Sequence, residues 1–114
     1  MIPLAAVIAA VEEEGERLRA EFYRPEGPRG RGGSAPLDRE IEERLRAKLQ
    51  ALVPCAFAGE ETGTTPAPRG ASPESAGFLW LVDPQDGTTE FLQGRRGSAI
   101  SVALLRGSVA VLGV

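Results

Sequence analysis

The sequence predicts an α+β domain: two segments of helical periodicity fill its first half, strand-like runs fill its second, and the last two runs meet at a two-residue Gly-Ser turn. Leu4, Ile8, Val11, Leu18 and Phe22 recur at helical spacing, and Glu13 stands four residues before Arg17, so an amphipathic helix is expected from about Pro3 to Tyr23, with Gly15 its weak point. From Arg24 to Ala35 the composition turns to Pro, Gly and Arg without periodicity, which reads as a mobile surface loop. A second helix follows, with Leu37, Ile41, Leu45, Leu49 and Leu52 on one face. The pairs Glu40 with Arg44 and Glu42 with Arg46 are expected outside, Ser34 as its cap and Pro54 as its stop.

Gly63 to Gly77 is rich in Thr, Pro, Ser and Gly and reads as a loop with no core element. Phe78 to Val82 is a continuous apolar run of the buried-strand kind, and Ala99 to Leu105 alternates, with Ile100, Val102 and Leu104 on one face. Gly107-Ser108 reads as a hairpin turn into a strand from Val109 to Val114. That apolar end reads as a strand cut in mid-course, and exposed edge strands there suit a homodimer or pairing with a missing half.

At 114 residues the chain holds one domain at most. Its 42% hydrophobic and 25% charged content is that of a globular protein and excludes a disordered chain. A net charge of −3 with scattered arginines offers no basic face for a phosphate backbone, so nucleic acid is not an expected partner. The lone Cys55 cannot close an internal disulfide, and the apolar opening Ile2 to Val11 is too short to span a bilayer. A cytoplasmic location and no membrane partner are therefore expected. Histidine is absent, which rules out serine-histidine and cysteine-histidine nucleophiles and any histidine-bearing zinc site. Catalysis must then rest on carboxylates, hydroxyls, arginines or a metal.

Asp83-Pro84-Gln85-Asp86-Gly87-Thr88 directly follows the run Phe78 to Val82 and delivers two carboxylates at a strand end, where Pro84 and Gly87 turn the backbone. Asp83, Asp86 and the Gln85 carbonyl are hard oxygen donors suited to Mg²⁺. Gly87-Thr88-Thr89 adds N–H groups and hydroxyls that would attract a phosphate if a helical turn begins there. On spacing alone the stretch reads first as an aspartate-capped surface turn. Glu60 and Glu61 can likewise be a solvated loop, and Asp38 an ordinary helix-start residue.

Gly59-Glu60-Glu61, followed some twenty residues on by Trp80-Leu81-Val82-Asp83-Pro84-Gln85-Asp86-Gly87-Thr88-Thr89-Glu90-Phe91, resembles the paired signature of the inositol monophosphatase superfamily. That signature reads G-E-E, then W-x-(I/V)-D-P-x-D-G-T-x-x-F. The stretch Gly97 to Leu105 is also similar, and the two leading helices fall where the family has them, so the resemblance covers nearly the whole chain. It implies two N-terminal helices packed on an antiparallel sheet, as in the N-terminal part of the family's α-β layered sandwich, with residues 1–114 forming a metal-binding domain and the C-terminal domain absent. It further implies that Glu60, Asp83, Asp86 and the Gln85 carbonyl ligate Mg²⁺, that Thr88 with Asp38 positions and activates the attacking water, and that Gly87 and Thr88 offer N–H groups to the phosphate. Two departures stand out. Ser34-Ala35-Pro36-Leu37-Asp38 keeps only the aspartate of the family's V-T-x-A-D, and the later W-D-x-A-A-G segment lies beyond this chain.

The expected function is Mg²⁺-dependent hydrolysis of a small phosphorylated metabolite, of the inositol phosphate or nucleotide 3′-phosphate class, since Thr89-Glu90-Phe91-Leu92 has features of both the inositol-phosphatase and bisphosphate-nucleotidase branches. Alternatives are a catalytically silent fragment that binds metal and phosphate, and a helix-and-sheet domain with no site. Arg95 and Arg96 either meet a substrate phosphate or lie in solvent. A nucleotide-binding oxidoreductase is disfavoured because no G-x-G-x-x-G follows a predicted strand.

Overall fold

Helix α1 forms over Leu4–Phe22 in the computed structural model, which describes residues 2–114. Its inward stripe is Val7, Ala10, Glu14, Leu18 and Glu21, rotated from the expected one, so that Leu4 and Ile8 are exposed. The rotation follows from partners that periodicity does not show. Glu14 is wholly buried yet receives Lys48 Nζ and Arg44 Nε at 2.9 Å each, with Arg17 at 3.5 Å. Burial opposes its ionisation, but the hydrogen bonds from Lys48 and then Arg44 outweigh this and hold the carboxyl below its ordinary range. Glu21 is gripped by Arg29 through the guanidinium, at 2.7 and 3.0 Å, and through the backbone N–H at 2.8 Å. The segment 24–35, expected to be mobile, is thereby anchored to α1. Gly30 within it packs so tightly that a side chain would overlap the Ser34 carbonyl.

Helix α2 (Pro36–Leu52) begins with Pro36 in its first turn, where a missing N–H costs nothing, and Ala35 rather than Ser34 stands at the cap without a side-chain bond. It ends at Val53, extended ahead of Pro54 as a pre-proline residue prefers. Its buried face is Asp38, Ile41, Glu42, Leu45 and Leu49. Glu42 is therefore inside, not paired on the surface with Arg46, whereas Arg44 does meet Glu40 at 3.7 Å.

The sheet has five strands in the order β2-β1-β3-β4-β5: β1 Ala56–Gly59, β2 Gly63–Thr65, β3 Phe78–Asp86, β4 Ala99–Arg106 and β5 Val109–Gly113. Three pairings are antiparallel, as expected, while β1 and β3 run parallel, so the sheet is mixed. Two of these strands lie where none was expected: β1 holds only four residues, and β2 opens the stretch read as loop, which also contains a 3₁₀ turn at Pro73–Ser75. The β4–β5 turn is Gly107-Ser108, with Gly107 at φ +60° and no positive φ at Ser108, as a two-residue hairpin of type II′ requires.

One face of the sheet packs on the helices through Phe57, Trp80, Val82, Val102 and Leu104, against Ile41, Leu45 and Leu49. Each such side chain contributes roughly 1.5–3 kcal/mol when removed from water. Trp80 also donates its indole N–H to the Val53 carbonyl at 3.0 Å, fastening the middle of β3 to the end of α2. Among the described residues no helix is long and apolar enough to cross a membrane.

Candidate functional site

The parallel pairing of β1 with β3 creates the site. Gly59 lies opposite Val82 in register, so the next residues of the two strands, Glu60 and Asp83, emerge side by side at the same end of the sheet. An antiparallel pairing would have sent them to opposite ends. β3 does not stop at Val82 as expected but runs on to Asp86, with a bulge between Asp83 and Asp86 against Ser101 and Ala99 of β4. Bulges re-aim side chains. Within this one, Asp83 Oδ1 accepts the Gln85 N–H at 3.0 Å, and Pro84 and Gln85 turn inward while Asp86 is exposed. Gly87 then adopts φ +87°, which a residue with a side chain adopts at a cost, and opens the short helix α3 (Thr88–Leu92).

Asp38 of α2 reaches this turn from below. It is 1% exposed, and its Oδ2 lies 3.0 Å from Thr88 Oγ1, which is also 3.0 Å from the Gln85 carbonyl oxygen. Burial raises the Asp38 pKa to about 6; the Thr88 hydroxyl works against this, and the charges of Glu61 and Asp83 add to it. A single hydroxyl proton faces two acceptors, and both contacts become hydrogen bonds when Asp38 carries a proton. Glu60 is raised to about 7, first by its hydrogen bond with Asp83, then by burial and by the charges of Asp83, Glu61 and Asp38. Glu61 is raised too, by burial and by Glu42 and Asp83.

Glu60, Asp83, Gln85, Asp86, Gly87 and Thr88 all border one open cleft of about 520 Å³, joined by Thr89, Glu90, Gly97 and, from the anchored segment, Gly33. Of the residues singled out in the sequence, the structure thus gathers Glu60 with Asp83, and Asp38 with Thr88, and sets Asp86 and Gly87 in the same cleft. Among the described residues, no three acidic, cysteine or histidine side chains already form a metal-ready cluster. The donors nonetheless suit a hard cation: they are carboxylates and a carbonyl, and the crowded Glu60–Asp83 pair is the kind of like-charge contact that a divalent ion relieves. Arg95 and Arg96 are exposed and do not border the cleft. Glu42 was missed because its spacing to Arg46 suggested a surface pair. Its place one helical turn after Asp38, on the stripe of Ile41 and Leu45, was the available signal.

Residues 4–114 match the model of the inositol monophosphatase family. The chain belongs to that family. Among relatives of this inositol monophosphatase family member, the inositol monophosphatase of Mesembryanthemum crystallinum is 32% identical over 97% of this chain and 42% of its own length. The 3′(2′),5′-bisphosphate nucleotidase CysQ of Aggregatibacter actinomycetemcomitans is 30% identical over 97% of this chain and 42% of its own. The Nus factor SuhB of Pseudomonas aeruginosa is 40% identical over 59% of this chain and 24% of its own. The chain therefore spans less than half the length of these curated relatives. Among solved structures, the extragenic suppressor protein suhB of Bartonella henselae superposes with a TM-score of 0.78 at 26% identity, covering 96% of this chain and 43% of that one. CysQ of Bacteroides thetaiotaomicron gives 0.72 at 28% identity, covering 97% and 40%.

Proposed function

We propose that this chain carries the metal- and phosphate-binding half of a Mg²⁺-dependent phosphomonoesterase that acts on a small phosphorylated metabolite of the inositol phosphate or nucleotide 3′-phosphate class. The observation that carries the reading is the convergence of Glu60 and Asp83, brought side by side by the parallel register of β1 and β3, on one cleft with Asp86 and Thr88. Glu60, Asp83, Asp86 and the Gln85 carbonyl would hold Mg²⁺. When bound, the metal supplies a water of lowered pKa and neutralises charge on the departing oxygen.

The remaining chemistry belongs to the protein. Ionised Asp38 draws the Thr88 hydroxyl proton to its Oδ2, and Thr88 Oγ1 then presents lone pairs to a hydrogen of the attacking water. The Asp38–Thr88 pair orients that water and can take up its proton, as a buried carboxyl titrating near neutrality is able to do. N–H groups of Gly87 and Thr88, at the start of α3, would receive phosphate oxygens.

The test is phosphate release from inositol 1-phosphate and 3′-phosphoadenosine 5′-phosphate with and without Mg²⁺, using Asp86→Asn as control. Release that needs Mg²⁺ and disappears in the control supports the reading, and the preferred substrate names the class. The match to only 42% of the length of full relatives supports a second reading, in which the chain binds metal without turnover. Calorimetric Mg²⁺ uptake with no release from either substrate would decide for that one.

A further inference from the structure

Glu42 is a wholly buried carboxylate, and none of the ion pairs among the described residues includes it. Its oxygens instead accept two backbone N–H groups of the β1–β2 turn, Glu61 at 2.9 Å and Thr62. A carboxylate removed from water without a cation is costly unless N–H donors converge on it, so this one is tied to the turn it holds. Gly59 completes the arrangement. A Cβ at that position would overlap all three atoms of the Glu42 carboxyl group, and its φ is not among the positive ones, so the demand for glycine there is one of space and not of backbone angle. Asp38, one helical turn earlier on α2, holds the other donor-bearing segment through Thr88.

We infer that Glu42 is a positioning residue for the metal site: its carboxylate, admitted by the bare Gly59, fixes the turn that sets Glu60 beside Asp83. The inference rests on the metal reading above and extends it to a residue that touches neither metal nor substrate. It also gives a physical reason for the glycine that precedes the two glutamates: that position must stay empty for α2 to reach the turn.

The test uses the full chain and compares wild type with Glu42→Gln, Gly59→Ala and Glu14→Gln, the last changing the buried carboxylate of α1 that Arg44 and Lys48 of α2 hold. Mg²⁺ affinity is measured by calorimetry, and exchange of the Glu61 and Thr62 amides is followed by NMR without metal. Glu42→Gln and Gly59→Ala are expected to weaken Mg²⁺ binding about tenfold or more, the usual effect of losing an outer contact that orients a ligand. The two amides should exchange faster in both variants. Glu14→Gln should lower the melting temperature while leaving the affinity and those two amides unchanged; a merely structural role for Glu42 would speed the two amides but, like Glu14→Gln, leave the affinity unchanged. Affinities within twofold of wild type in folded Glu42→Gln and Gly59→Ala would overturn the inference. A wild-type chain that takes up no Mg²⁺ would sink the metal reading by itself; unchanged exchange at Glu61 and Thr62 would then also overturn the role of Glu42 in holding the turn, and faster exchange would sustain it.

Discussion

Replacing Gln85 with leucine should make the protein more stable. Gln85 is 2% exposed, and both polar atoms of its side chain, Oε1 and Nε2, lack a hydrogen-bond partner among the described residues, while its backbone N–H and carbonyl are engaged with Asp83 and Thr88. An amide buried without partners costs about 1–3 kcal/mol on mutational scales, because it gives up bonds to water and regains none. Leucine has nearly the same volume, so the exchange opens no large cavity and leaves the backbone contacts in place. The expected gain is about 1–3 kcal/mol, and with a sensitivity of several degrees per kcal/mol for a domain of this size the melting temperature should rise by about 4 °C or more. Differential scanning calorimetry of Gln85→Leu against wild type, in chelator, measures it, and Mg²⁺ titration of both checks that the carbonyl is undisturbed. A melting temperature that stays level or falls would refute the reasoning and show that the amide has partners in solution, a buried water being the obvious one.

Two further outcomes are expected. Glu60 and Asp38 titrate at about 7 and about 6 in the fold against ordinary values of 4.5 and 3.8, so the fold binds their protons more tightly than the unfolded chain does. Their contribution to stability is complete below the unfolded values and fades as pH climbs through 6 to 7; Glu21, depressed from 4.5 to about 2, contributes above 4.5 and loses its share as pH falls toward 2. Metal-free melting temperatures should therefore decline from about pH 5 to 7.5, with Mg²⁺ cancelling the decline, and a metal-free rise across that window would contradict the assignment. Separately, Glu21→Ala should release Arg29 and free the segment 24–35, so that trypsin cuts after Arg29 and Arg31 several times faster while far-ultraviolet circular dichroism stays unchanged. Equal cleavage rates would mean the anchor does not hold that segment in solution.

The helices were legible because apolar residues recur at helical spacing, β3 because Phe78 to Val82 is one apolar run, and β4 because Ile100, Val102 and Leu104 alternate. The α+β class followed from that order of elements. β1 and β2 escaped notice because four and three residues cannot display a period, and their strand state comes from pairing partners far along the chain. The inward turn of Glu14 and Glu42 was hidden for a different cause: periodicity sorts residues by polarity, whereas a buried carboxylate is decided by what donates to it, Lys48 and Arg44 in one case and two backbone N–H groups in the other. At the candidate site, Asp83, Asp86, Gly87 and Thr88 were legible as one stretch. Glu60 and Asp38 joined them by resemblance, since their proximity depends on a parallel strand pair and a helix approach that no local pattern encodes.

The parallel neighbours β1 and β3 have a consequence for engineering. What separates them in the chain, β2 and the connection from Pro66 to Gly77, leaves the sheet at its edge and returns without passing through the cleft. Doubling the length of such a connection adds only about 0.6 kcal/mol of closure entropy. An affinity tag or reporter inserted near Arg69-Gly70, where the backbone is exposed, should leave the carboxylates in place. The opposite manipulation is the severe one: deleting a single residue from β1 would shift its register against β3 by one place and swing Glu60 to the other face of the sheet. A graft site and a point of fragility thus lie within fifteen residues of each other, the first indifferent to length and the second upset by the loss of a single residue.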